Sequence, residues 1–179
     1  MIIKTIFSGF GGQGVLMMGY SLAHSAMNKG YHVTYLPAYG AEVRGGTANC
    51  TVAVADEEIA SPVSSEPNYL IAMNAPSLFT FQNKISSGGT IFLNSSIVQD
   101  RPNRRDVEVC AVPCVDIAQD LGNNRVANII MMGAFIKKTG IVTPDIYLNS
   151  LETILGSKKK SVAELNRQAF TTGLNYLKD

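Results

Sequence analysis

Apolar positions along this chain switch repeatedly between two spacings, one suited to buried strands and the other to helical faces. Ile2 to Phe7 reads as a strand and leads into four glycines within six residues, Gly9, Gly11, Gly12 and Gly14. Immediately afterwards Val15, Leu16, Met18, Leu22, Ala23 and Ala26 recur at helical spacing, and Gly30 is placed to cap that helix. Tyr31–Leu36 reads as a second strand stopped by Pro37, and 38–46 as a loop. Thr47–Ala55 is the next strand, closed by the polar turn Asp56-Glu57-Glu58, with Ile59 and Ser61-Pro62-Val63 continuing as an extended edge.

Further along, Tyr69–Met73, Thr90–Leu93 and Val107–Val112 are short apolar runs of strand length. A helix from Pro76 to about Ile85 separates the first two. The last third reads as helical: Val126–Lys138 stopped by Gly140, a helix opened by Thr143-Pro144 and ended near Gly156, and a final one opened by the capping-box pattern Ser161 to Glu164. Alternating strands and helices predict an α/β fold, a mostly parallel sheet with helices on both faces. No repeat or linker divides residues 1–179, so a single Rossmann-like three-layer domain is expected.

Composition narrows the function classes. Charged residues are only 16% of the 179-residue chain, against about 25% in average proteins, and apolar residues are 46%. So quiet an exterior suggests that part of it is covered by another chain. A net charge of +1 gives no footprint for nucleic acid or an anionic membrane, and no apolar run approaches the length of a membrane span. With no signal-peptide pattern, the expected compartment is the cytoplasm. Cys50, Cys110 and Cys114 are an odd number without metal-site spacing, and are expected to be buried free thiols.

The glycine turn is the first candidate for chemistry. Gly9, Gly11 and Gly14 fit the G-x-G-x-x-G spacing of dinucleotide-binding turns, where bare N–H groups meet a pyrophosphate. That fingerprint normally has an acid at the end of the second strand, to hold ribose hydroxyls. Here the strand ends Thr34-Tyr35-Leu36-Pro37 and the first acid is Glu42. Gly9, Gly11, Gly12, Gln13 and Gly14 are thus candidate cofactor-binding residues, or a tight turn made for a protein interface. Arg44, between Glu42 and Gly45-Gly46, is a second candidate, suited to a phosphate or carboxylate and equally to an intersubunit ion pair. No catalytic constellation and no metal-ligand set is visible. A stand-alone dinucleotide-binding protein or small reductase remains an alternative on these residues alone.

The motifs taken together resemble a known family. Gly9-Phe10-Gly11-Gly12-Gln13-Gly14, the run Tyr39 to Cys50, Ile59-Ala60-Ser61-Pro62, and Ala127-Asn128 with Gly133 are similar to the gamma subunit of 2-oxoacid:ferredoxin oxidoreductases. Ala72 to Leu78 and Asn94-Ser95-Ser96 are most similar to the 2-oxoglutarate branch. The resemblance implies a non-catalytic subunit that works with alpha and beta chains and a ferredoxin-like delta chain. The complex would decarboxylate a 2-oxoacid oxidatively, load the acyl group on coenzyme A and reduce ferredoxin. It implies that thiamine diphosphate, magnesium and [4Fe-4S] clusters sit on the other chains. No cofactor would then be held stably by this chain alone, which would be inactive in isolation.

Overall fold

A computed structural model describes residues 1–39, 47–60, 66–156 and 159–177. Six strands form one sheet: β1 (Ile2–Phe10), β2 (His32–Tyr39), β3 (Thr47–Ala55), β4 (Tyr69–Ala72), β5 (Thr90–Asn94) and β6 (Glu108–Val112). Their order across the sheet is β2-β3-β1-β4-β5-β6. The neighbours β1, β4, β5 and β6 run parallel, as the alternating pattern predicts. β3 is antiparallel to both β1 and β2, and wedges between them. The sheet is therefore mixed, with its parallel part built from the regular strand–helix alternation.

β2 differs from expectation in its length. It continues through Pro37, paired opposite Cys50, to Tyr39. Pro37 lacks an N–H, and it is tolerated because β2 is an edge strand with one side free of ladder bonds.

The helices are α1 (Val15–Asn28), α2 (Ala75–Phe81), α3 (Cys114–Asp120), α4 (Ala127–Thr139), α5 (Pro144–Leu155) and α6 (Lys160–Tyr176). Thr143 caps α5 through its side chain, with Pro144 at the first turn, as its sequence signals. The capping box at Ser161 does not form, because α6 begins two residues earlier, with Lys159 rather than Ser161 at its N-cap. The short α3 has no counterpart in the apolar pattern. Its N-terminal N–H groups, on Val115 and Asp116, donate to the Ser96 hydroxyl from the turn after β5. Asn94-Ser95-Ser96 thus serves to cap the chain's exit from the sheet.

Strand alternation feeds two cores. Phe7, Ile71 and Phe92 face α1, α3, α4, α5 and α6, whereas Ile6, Leu70, Ile91 and Leu93 face α2. The layers are unequal, and the larger core is organised around Phe135 of α4. Its ring meets Phe7, Tyr69 and Phe92 edge-on at centroid distances of 6.0, 5.7 and 5.3 Å. α4 and α6 approach until their backbones touch. A Cβ on Gly133 would collide with the Phe170 carbonyl oxygen, and one on Gly173 with that of Ile130. All three cysteines are buried free thiols, as expected.

Candidate functional site

At the β1/β4 boundary the chain departs in opposite directions, β1 through α1 toward β2 and β4 toward β5 and β6. Such a switch point leaves a crevice beyond the carboxyl ends of the strands, where open α/β sheets bind ligands. The glycine turn occupies that position. β1 ends at Phe10 and α1 starts at Val15, so residues 11–14 reverse the chain. Gly14 is the N-cap of α1 with φ of 74°, a left-handed conformation that favours glycine. It brings no capping side chain, and no acid lies in the first turn of α1. The N-terminal N–H groups of α1 therefore retain their partial positive charge toward the crevice.

Gln13 organises the turn. Its Oε1 accepts the Phe10 N–H at 2.7 Å, and its Nε2 donates to the Met73 carbonyl oxygen at 3.1 Å. Asn94 Nδ2 donates to the same carbonyl at 3.3 Å. Asn74, next to Met73, caps α2 by accepting the Ser77 N–H at 2.8 Å. Side-chain amides from β5 and the two turns thus fasten together the ends of β1, β4 and β5.

The five glycine-turn candidates separate into two groups. Gly12, Gln13 and Gly14 line a cavity of about 370 Å³, opposite Arg125 and Asn128. Gly9 and Gly11 do not line it. A Cβ on Gly9 would stand 2.6 Å from Gln13 Oε1 and 2.9 Å from both Met73 Cβ and Val15 Cγ1, so the residue makes room for the Gln13 latch. Around Gly11 there is open space. Arg44 and Glu42 lie outside the described residues.

Arg125 and Asn128 were not among the candidates drawn from the sequence. Arg125 is exposed, and its guanidinium has neither a hydrogen bond nor an ion pair among the described residues. Asn128 sits so close to Gly14 that a Cβ there would overlap its amide. The Ala127-Asn128 motif carried the only signal for this pairing; Arg125 had none, since a lone arginine before a helix is unremarkable.

This arrangement can bind an anion or a carbonyl oxygen, through backbone N–H groups on one wall and a guanidinium on the other. Nucleophilic chemistry is not available from its thiols: burial pushes Cys50 and Cys114 up to about 12 and raises Cys110 as well. Among the described residues no three His, Cys, Asp or Glu side chains are grouped to hold a metal ion, and no helix is long and apolar enough to cross a membrane.

Comparison with known proteins agrees with this layout. Residues 4–176 match the family model described as pyruvate ferredoxin/flavodoxin oxidoreductase. Ketoisovalerate oxidoreductase subunit VorA of Methanothermobacter thermautotrophicus is 32% identical over 99% of this chain, which corresponds to 37% of VorA. The 2-oxoglutarate synthase subunit KorC of Methanothermobacter marburgensis is 32% identical over 93% of this chain and 91% of its own length. The chain spans about a third of VorA and nearly the whole of KorC.

Among solved structures, the gamma subunit of a keto/oxoacid ferredoxin oxidoreductase from Geobacter sulfurreducens superposes with a TM-score of 0.80 at 27% identity, covering 96% of this chain and 95% of that one. The 2-oxoglutarate:ferredoxin oxidoreductase of Magnetococcus marinus, solved with 2-oxoglutarate, coenzyme A and succinyl-CoA, shares the fold at a TM-score of 0.89 and 21% identity. That match covers 97% of this chain and 30% of the larger one. The chain belongs to the pyruvate ferredoxin/flavodoxin oxidoreductase family and corresponds to the gamma subunit of its 2-oxoacid-oxidising members.

Proposed function

We propose that the chain is the non-catalytic gamma subunit of a heteromeric 2-oxoacid:ferredoxin oxidoreductase that oxidises 2-oxoglutarate to its acyl-CoA. The observation that carries this reading is the match to KorC over nine tenths of both chains. Alpha, beta and ferredoxin-like delta chains would be its partners, with ferredoxin reached through the complex. Thiamine diphosphate, magnesium and the [4Fe-4S] clusters would be held by those partners.

In this reading the glycine turn faces the path of coenzyme A. The cavity between Gly12–Gly14 and Arg125 offers backbone N–H groups and a guanidinium, the donor set that a phosphate or a thioester carbonyl requires. Arg44, which lies between β2 and β3 in the sequence, would add a second cation. Gln13 holds the turn in place without itself reacting.

Reconstituting the complex anaerobically with and without this chain tests the assignment. Coenzyme-A-dependent ferredoxin reduction should require the chain and should favour 2-oxoglutarate over pyruvate and 3-methyl-2-oxobutanoate. Full turnover in its absence would overturn the subunit role, and a preference for another oxoacid would overturn the branch. Within the complex, Arg125→Gln should raise KM for coenzyme A at nearly unchanged kcat.

A further inference from the structure

A second cavity, of about 500 Å³, lies between α1, α4, α5 and α6, and it meets the first at Arg125 and Asn128. Its origin is the helix crossing described above. α6 touches α4 backbone-to-backbone at Gly173 and Gly133, near the C-terminal end of α6, while Val162, Leu165 and Asn166 of its N-terminal half border the cavity. The walls are mainly apolar, with Met17, Ile129, Met132, Leu151 and Leu165 among them.

The polar groups in this space are not equivalent. On the floor, Ser21 Oγ and the Tyr147 hydroxyl bond to each other at 2.8 Å, and Ser21 also bonds to the Met18 carbonyl. Asn123 Oδ1 is engaged by the Arg125 N–H. Asn166 is different: its residue surface is only 8% exposed, it lines the cavity, and its carboxamide, open to that space, makes no hydrogen bond to the described residues. An amide open to a mainly apolar space pairs with water there, and a ligand able both to accept and to donate can take the place of that water.

We propose that this cavity binds an aliphatic carboxylate whose chain carries a neutral amide. The apolar body would lie against the methionines and leucines, whose flexible side chains adapt to a ligand. The internal amide would pair with Asn166, and the carboxylate would reach Arg125 at the mouth. The volume falls in the range of small-molecule sites, about 300–1,000 Å³. This inference concerns a different space from the glycine-turn cavity and does not rest on the oxidoreductase reading.

Binding of two probes to the full 179-residue chain tests it: N-hexanoylglycine, and nonanoate, which has the same chain length without the amide. By calorimetry, N-hexanoylglycine should bind about threefold to tenfold more tightly, the increment of one net hydrogen bond. Asn166→Leu should abolish that preference while leaving nonanoate binding intact, and Asn166→Ala should do the same if the leucine disturbs α6. Arg125→Gln should weaken both probes together. NMR shifts on saturation should include the Asn166 side-chain amide and the Met132 methyl. No saturable binding, equal affinity for the two probes, or a preference that survives both Asn166 variants would overturn the proposal.

Discussion

Gln13 donates from Nε2 to the carbonyl oxygen of Met73, a residue 60 positions away at the end of the neighbouring parallel strand. Because its Oε1 accepts the Phe10 N–H at the same time, one side chain joins β1 to the turn after β4. Gln13→Ala breaks both bonds and leaves the Phe10 N–H without this partner. The Met73 carbonyl keeps Asn94. The expected loss is about 1–2 kcal/mol, measured by urea unfolding with an unchanged m-value. Protection of the Phe10 amide from hydrogen exchange should fall with it.

Gly14 and Asn128 are coupled by contact. Gly14→Ala should cost about 1 kcal/mol for the left-handed backbone alone, and more for the overlap with the Asn128 amide. Removing the amide with Asn128→Gly should recover the overlap part and not the backbone part. A double-mutant cycle on stability should therefore show a favourable interaction energy between the two changes. Strict additivity would contradict the contact.

Gly173→Ala addresses the α4–α6 crossing, where the obstacle is backbone and cannot rotate away. Destabilisation of about 2–4 kcal/mol is expected, in the range of severe core overpacking. Gly122→Ala provides the control. Its φ is 80° but no atom lies near the added Cβ, so the loss should stay near 1 kcal/mol. Thermal unfolding of the two variants should rank them in that order.

The buried thiols give a pH signature. Cys50 and Cys114 are held protonated up to about pH 12 in the folded chain by burial, while in the unfolded chain thiols ionise near pH ~8.5. The folded pKa is the raised one, so the stabilising difference is intact below pH ~8.5 and disappears as pH climbs toward 12. Stability should decline across that window, by up to about 1.4 kcal/mol per pH unit for each thiol. In native protein at pH 8, alkylation of Cys50 and Cys114 should be slow and should follow opening of the fold. Fast modification of either would contradict their burial.

The sequence by itself determined most elements, because each is set by local rules. Period-2 and period-3.6 apolar spacing marked the six strands and five of the helices, and Thr143-Pro144 and Gly30 marked helix ends where they occur. Glycine density located the turn at the switch point, and the ordered motifs carried the family. What escaped was decided by groups distant in sequence. β3 lies antiparallel between β2 and β1 because strand pairing is a contact between segments, and no local pattern encodes it. Pro37 stays in its strand because β2 is an edge, and α3 starts where the hydroxyl of Ser96, eighteen residues before Cys114, supplies a cap. Only the fold separated Gly12, Gln13 and Gly14, on the cavity wall, from Gly9, which yields its space to Gln13. Only the fold put Arg125 across from them and set Asn166 on the wall of the second cavity, because a side chain's surroundings are set by packing between helices rather than by its sequence neighbours.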